Sequence, residues 1–209
     1  MEHPELYSFE LNGESFPAET DGYWIDEVLK GVKLPHSLLK SGENSLLLRT
    51  DYNCGQRGLE AVYISGFFGV ENGKVITALP ETLVCGDWCE QKLPNYAGNL
   101  TYIAEVDVPS PALLKIGEWR GAMLGVKVND APEKVLPWPP YQQILPAGKC
   151  RIEITVYGHR RNALGPFYLD EKWPVRTGPH QHKVYEHPER QLVPCGLLEM
   201  PELLLIGEQ

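Results

Sequence analysis

Seven residues spread over residues 119–162 carry the side chains most useful for recognising a ligand: Trp119, Arg120, Trp138, Tyr141, Arg160, Arg161 and Asn162. Aromatic faces cover the apolar surfaces of sugar rings, and planar Arg, Asn or carboxylate groups meet the hydroxyls, so carbohydrate is the ligand these types fit. The competing use is structural. Large aromatics in small β-domains are most often buried, so Trp119 and Trp138 would serve as core anchors and Arg120 would pair with Glu118 or Glu153. Hydrolysis of a glycoside needs two carboxylates, roughly 5 Å apart for retention or 6.5–9.5 Å for inversion. Glu60, Glu81, Asp87, Glu90, Glu105 and Glu118 offer the groups, but no spacing singles out a pair, and no catalytic residue is assigned.

Other chemistries find less support. His180 and His182, two apart, could converge on one ion with His187 if the strand were extended. Their setting is rich in Pro and charge and lacks a supporting Cys or Asp spacing, so an exposed loop, no metal and no cofactor are expected. Cys54 and Cys195 have no His-Asn context that would make a thiol nucleophile. Neither a Gly-rich phosphate loop nor a Gly-x-Ser-x-Gly elbow is present.

The totals narrow the field. A formal net charge of −9 over 209 residues argues against nucleic acid as partner, since phosphate contacts need clustered Lys and Arg. The longest basic run is Arg160-Arg161. No run approaches the roughly 20 apolar residues of a membrane span, and Met1-Glu2-His3-Pro4-Glu5 does not read as a secretory leader. A cytoplasmic, non-membrane protein is therefore expected. Five cysteines, an odd number with loose spacing, fit free thiols in a reducing compartment, and Cys85-Gly86-Asp87-Trp88-Cys89 is one residue too long for the usual redox or zinc pair.

The elements that must hold these residues read as strands. Apolar runs are short, and 20 Gly and 18 Pro punctuate them, which suits an all-β fold. Residues 7–11 alternate and end at Asn12-Gly13, a hairpin signal, and Asn72-Gly73 marks a second hairpin over residues 67–77. Residues 26–34 fit either a helical turn or an edge strand. Strands are expected at 45–50, 58–65, 100–108, 113–116, 122–128, 150–157 and 167–169, with a Pro-rich crossing at 135–141. Residues 79–98, which hold Trp88, read as an irregular link.

An internal repeat emerges when these are aligned. Gly42 to Arg49 sits over Gly148 to Thr155, residues 58–64 sit over 164–169 with a small shift, and Asn12-Gly13 sits over Asn129-Asp130. Such recurrence suggests duplicated sandwiches. Three candidate strands precede Asn129 and one precedes Asn12, so the first copy lacks its opening strands. The C-terminal segment Leu203 to Ile206, a second chain, or an upstream portion could supply them, because an unpaired edge is usually avoided.

Val128-Asn129-Asp130, the Pro-rich crossing, the Gly148 turn with its strand, and the loop into Gly165-Pro166 resemble the jelly-roll, galactose-binding-like sandwiches attached to bacterial glycoside hydrolases of the β-galactosidase and rhamnosidase type. The resemblance covers residues 100–169 well and 6–70 in part, and residues 191–198 also resemble the C-terminal end of large multidomain glycosidases. It implies two β-sandwich units, an incomplete one over 1–78 and a complete one over 79–170, with an extended arm over 171–209 that could pair with the first. It further implies a non-catalytic, carbohydrate-associated module, the C-terminal part of a larger glycoside hydrolase. A glycan, a catalytic domain or a homo-oligomer partner would be its partners. The alternatives are a glycosidase in its own right and a purely structural or oligomerisation module.

Overall fold

The structure, a computed structural model, describes residues 1–55, 61–165 and 190–206. The chain is all-β and divides into two units, Met1–Gly66 and Phe67–Gln209. The division falls ahead of residue 78 for a local reason. The hairpin over residues 69–77 is tied into the second unit, with the Val70 N–H donating to the Lys92 carbonyl (2.8 Å) and Lys92 paired with Glu71 (3.3 Å).

In the first unit β1 (Ser8–Leu11) and β2 (Glu14–Phe16) form the hairpin expected at Asn12-Gly13, where both residues have positive φ (55° and 92°). Gly and Asn occupy that region at least cost, which is why this dipeptide turns the chain tightly. Residues 26–34, ambiguous in sequence, contain strand β4 (Asp26–Val32), paired with β3 (Thr20–Trp24) through two register shifts. A 3-10 turn at His36–Leu38 and a turn at Gly42 (φ 89°) lead into β5 (Leu46–Arg49), giving the sheet order β2-β1-β5. Alternation sends Phe9 and Leu11 inward against Phe16, the rings of Phe9 and Phe16 lying 5.5 Å apart, while Glu10 turns outward to Arg49 (2.7 Å). The strand expected over 58–65 is not seen in its described part: residues 61–65 join no strand or helix, although Tyr63 packs on Trp24 at 5.2 Å.

The second unit opens with β6 (Gly69–Glu71) and β7 (Val75–Thr77) around Asn72-Gly73. It continues through β8 (Asn99–Val108), β9 (Ala112–Lys115), β10 (Trp119–Arg120), β11 (Met123–Val128), β12 (Lys134–Val135), β13 (Gln142–Leu145), β14 (Gly148–Tyr157), helix α1 (Arg161–Leu164), β15 (Gly196–Leu197) and β16 (Glu202–Leu205). One sheet has the order β12-β11-β14-β8, a second β13-β9-β16, and β10 pairs with β15. The two larger sheets share one core. Leu124, Val126, Ile152, Ile154 and Val156 from the first pack with Ala112, Leu114 and Leu145 from the second, all buried. The strict alternation of β14, with Cys150, Ile152, Ile154 and Val156 inward, is what one buried face requires. The Pro-rich stretch does cross over, carrying the chain from β12 in one sheet to β13 in the other.

Two segments play parts that their sequence did not announce. Residues 79–98 are no mere link: Trp88 is fully buried in the core of the second unit, within a short 3-10 helix (Trp88–Gln91). Asp87 caps that helix, its Oδ1 accepting from the Cys89 N–H (2.9 Å) and from the Cys195 N–H (3.0 Å). The C-terminal leucines pair with β9 of the second unit (Leu203 with Leu114, Leu204 with Leu113), and not with the β2-β1-β5 sheet.

The repeat has a structural counterpart in each unit taken by itself. Asn12 donates its N–H to the Ser45 carbonyl (2.8 Å) and accepts the Ser45 N–H on Oδ1 (2.9 Å). Asn129 does the same with Arg151, at 2.8 Å in both directions. The register follows suit, Leu11 opposite Leu46 and Phe9 opposite Leu48 in one copy, Val128 opposite Ile152 and Val126 opposite Ile154 in the other. The orders β2-β1-β5 and β12-β11-β14 correspond strand for strand, and a Gly of positive φ stands at the entry to the third strand in each, Gly42 ahead of β5 and Gly148 as the first residue of β14. The remaining part of the alignment, residues 58–64 over 164–169, falls mostly outside the described residues.

Candidate functional site

Trp119, Arg120 and Tyr141 meet at one end of the second unit, in an open cleft of about 290 Å³ lined by Gly117, Glu118, Trp119, Arg120, Gly121 and Tyr141. Its wall is β10, too short to persist alone and held by the chain's return: Trp119 pairs with Leu197 and Arg120 with Gly196. Just before β10, the Leu198 and Glu199 N–H groups both donate to the Glu118 carbonyl (2.9 and 3.1 Å), and the Glu199 carboxylate accepts the Glu118 N–H (2.8 Å). Gly121 permits the tight exit. A Cβ there would meet the Tyr157 carbonyl at 2.6 Å and Val156 at 2.8 Å.

The aromatic pair is fixed. Trp119 and Tyr141 stand edge to face, centroids 5.2 Å apart and planes at 87°, both partly buried and packed on the core. This T-shaped geometry is the preferred one for two quadrupoles, and it leaves ring surface turned to the cleft. The Tyr141 carbonyl accepts the Ile116 N–H (2.9 Å), which ties the opposite wall to the end of β9. Arg120 is exposed, and its guanidinium meets Glu118 (2.9 Å) and donates to the Trp119 carbonyl (3.1 Å). Of the two partners that the sequence offered for Arg120, Glu118 is the one taken; Glu153 lies with Lys127 and Arg151 instead (3.7 and 3.0 Å), and the Arg151 hydrogen bond holds its carboxyl below the usual range.

The other four sequence candidates go elsewhere. Trp138 is 73% exposed in the crossing and does not line the cleft, so it is no core anchor. Arg160 is exposed at the start of α1. Asn162 is 2% exposed and acts as a brace: it accepts the Val193 N–H (3.0 Å), donates to the Val193 carbonyl (2.7 Å) and points its amide at Cys89 Sγ (3.2 Å). Arg161 is also buried, at 8% exposure, with Nε and one terminal nitrogen lacking a partner among the described residues, and burial lowers its pKa. The histidines 180, 182 and 187 lie outside the described residues, and among the described residues no cluster of three or more His, Cys, Asp or Glu is placed to hold a metal.

Glu199 and the residues around it were not read as part of a site. Residues 191–198 stood out only for their resemblance to the C-terminal end of large glycosidases, which does not point to a cleft. Cys89 lies against the same brace, and the Cys195 N–H is held by Asp87 (3.0 Å). Burial, followed for Cys89 by the nearby Asp87 charge, pushes their thiols up to about 12 and about 11. All five cysteines are free. Among the described residues no helix is long and apolar enough to cross a membrane.

The fold and cleft thus define an all-β protein with two packed sheets and an aromatic-walled, ion-paired cleft at one end of its second unit. No protein-family model, curated protein or solved structure matches this chain.

Proposed function

We propose that the chain is a non-catalytic, carbohydrate-associated module of jelly-roll, galactose-binding-like type, working beside a glycoside hydrolase as the C-terminal part of a larger enzyme, with the cleft at Trp119 as its glycan site. The observation that carries this reading is the fixed Trp119–Tyr141 pair next to the Arg120–Glu118 ion pair. A sugar offers an apolar face and a rim of hydroxyls, and the cleft offers an aromatic wall and polar groups within reach of one another. A cleft of about 290 Å³ stands at the small end for ligand pockets, which favours one or two sugar rings over a long chain. A cytoplasmic setting belongs to the same proposal, and the free thiols support it.

The carboxylates beside the cleft are already committed, Glu118 to Arg120 and Glu199 to a backbone N–H, which favours binding over hydrolysis. Affinity electrophoresis and calorimetry against a glycan panel test the reading. Binding that falls at least tenfold in Trp119→Ala, and is kept in Trp138→Ala, is the expected result. Binding to no glycan would leave a purely structural module, and cleavage of aryl glycosides by the purified chain would make it a glycosidase.

A further inference from the structure

The sheet of the first unit stops at β5, which pairs with β1 on one side and, among the described residues, with nothing on the other. The second unit carries the same motif in completed form. There β14 stands where β5 stands, and its far side is covered by β8 through ten antiparallel pairs, from Gly148 opposite Val108 to Tyr157 opposite Asn99. The correspondence extends to the direction of the hydrogen bonds. Ser45 turns its N–H and carbonyl toward Asn12, as Arg151 turns its own toward Asn129. Because peptide groups alternate along a strand, Leu46 and Leu48 turn theirs to the open side, as Ile152 and Ile154 turn theirs to β8.

We propose that the open edge of β5 is a strand-acceptor site, which takes an extended segment of a separate polypeptide running antiparallel to β5. The second unit specifies the chemistry of that segment. Tyr102 and Ala104 oppose Ile154 and Ile152, and Leu100, Tyr102 and Val106 pack on the core while Thr101, Ile103 and Glu105 face out. The donated strand is therefore apolar at alternate positions, with its apolar side chains over Leu46 and Leu48. Those two are half-buried and border the small core of Phe9, Leu11 and Phe16, which the added strand would extend. Main-chain pairing supplies affinity in such strand addition and the alternate pockets supply selectivity. A second copy of the chain is a poorer donor. The two-fold pairing that sets Leu46 against Leu48 also sets Glu43 of one copy against Asp51 of the other, twice, and like charges directly opposite are destabilising. The edge also lacks a Pro, a bulge or an inward charge across Leu46-Leu47-Leu48, the devices that blunt edges meant to stay open.

The probe is a labelled synthetic peptide with the sequence of residues 99–108, titrated into the full chain and followed by anisotropy and by amide hydrogen exchange. The expected result is saturable binding with exchange at Leu46 and Leu48 slowed about tenfold or more. Placing Pro at the Tyr102 and Ala104 positions of the peptide should abolish both effects with the protein itself untouched, and Leu47→Lys in the protein should weaken binding. Absence of binding, or protection that appears on β14 instead, overturns the proposal. So does slow exchange at Leu46 and Leu48 in the unliganded monomer, which would mean the chain covers its own edge. Concentration-dependent dimerisation that protects these amides overturns it in favour of a second copy.

Discussion

Replacing Asn129 by Ala, Gly and Asp separates what the repeated corner owes to its side chain from what it owes to its backbone. Asn129 sits at φ 52° and accepts the Arg151 N–H on Oδ1 at 2.8 Å. Ala loses the acceptor, a net loss of about 1 kcal/mol, because water can partly replace it at this exposed corner. Ala also places a Cβ in left-handed backbone without the local polar contacts that let Asn tolerate it, adding about 1 kcal/mol. Gly loses the hydrogen bond but not the backbone compatibility, so its cost stays near 1 kcal/mol, and Asp, which keeps an acceptor, costs less than either. The expected order of destabilisation is Ala, then Gly, then Asp, with Ala near 2 kcal/mol. In urea, with a slope of about 2 kcal/mol per molar, that moves the midpoint by about 1 M. Tryptophan fluorescence is a suitable probe because Trp88 and Trp119 both pack on or in the core of the second unit. If Asn129→Gly matches Asn129→Ala, the backbone term is absent. If all three variants lie within about 0.5 kcal/mol of the parent, as neutral surface changes do, the corner does not fix the β11–β14 register and the reasoning fails.

Trp88→Phe keeps an aromatic in the core but deletes the Nε1–H that donates to the Tyr102 hydroxyl (2.6 Å), which itself accepts the Leu197 N–H (3.3 Å); a loss of about 2–3 kcal/mol is expected in the same urea assay, since a buried polar partner is left short and a small cavity opens. Cys89 and Cys195 should alkylate far more slowly than exposed Cys54 at pH 8, as read by mass spectrometry, because their raised pKa values keep them as thiols. The sign for stability follows: below the ordinary thiol value of 9.0 both states are protonated and nothing is lost, whereas between pH 9 and about 11–12 the unfolded chain ionises first and stability falls. A midpoint that stays flat from pH 9 to 11 would contradict the burial of these two thiols.

What could be read in advance was local. Asn12-Gly13 and Asn72-Gly73 mark hairpins because only a few residue types occupy positive φ cheaply, and that requirement is written into two adjacent residues. The repeat was legible for the same reason, since the Asn corner and the Gly turn before the strand are short signals that recur. Trp88 passed as one residue of an irregular stretch because partners that fix it are distant in sequence: its backbone N–H meets the Cys195 carbonyl and Gly196 crowds its ring. Nothing near Trp88 announces a contact more than a hundred residues away. Arg160, Arg161 and Asn162 looked alike as polar loop residues, yet one is exposed and two are buried, because a single turn of helix decides which way each points. Trp119 and Tyr141 were candidates by residue type alone. Their meeting depends on the crossing between sheets and on the return of residues 196–199.

The inequality of the two copies follows from how much each can bury. Among the described residues of the second unit the shared motif is one face of a two-sheet core of fifteen buried residues, to which Trp88, Cys195 and Leu197 contribute from outside the repeat. In the first, among the described residues, Phe9, Leu11 and Phe16 are the buried core, with Leu46 and Leu48 among the partly buried side chains at its border. A core that small rarely stabilises a unit unaided. The corner hydrogen bonds, 2.8 and 2.9 Å in the first copy and 2.8 Å twice in the second, are formed in both, so the turn geometry is not what the first copy lacks. Among the described residues it buries less apolar area than the second, and the place where area can be added without altering the motif is the far side of β5. A strand there would bury Leu46 and Leu48 and extend the face that Phe9 and Leu11 begin, as β8 extends the face begun by Val126 and Val128. Completion of the first unit and occupation of the β5 edge are thus one energetic event. Stabilisation of the first unit by a bound strand should therefore rise with the strand's apolar content at alternate positions and not with its length alone.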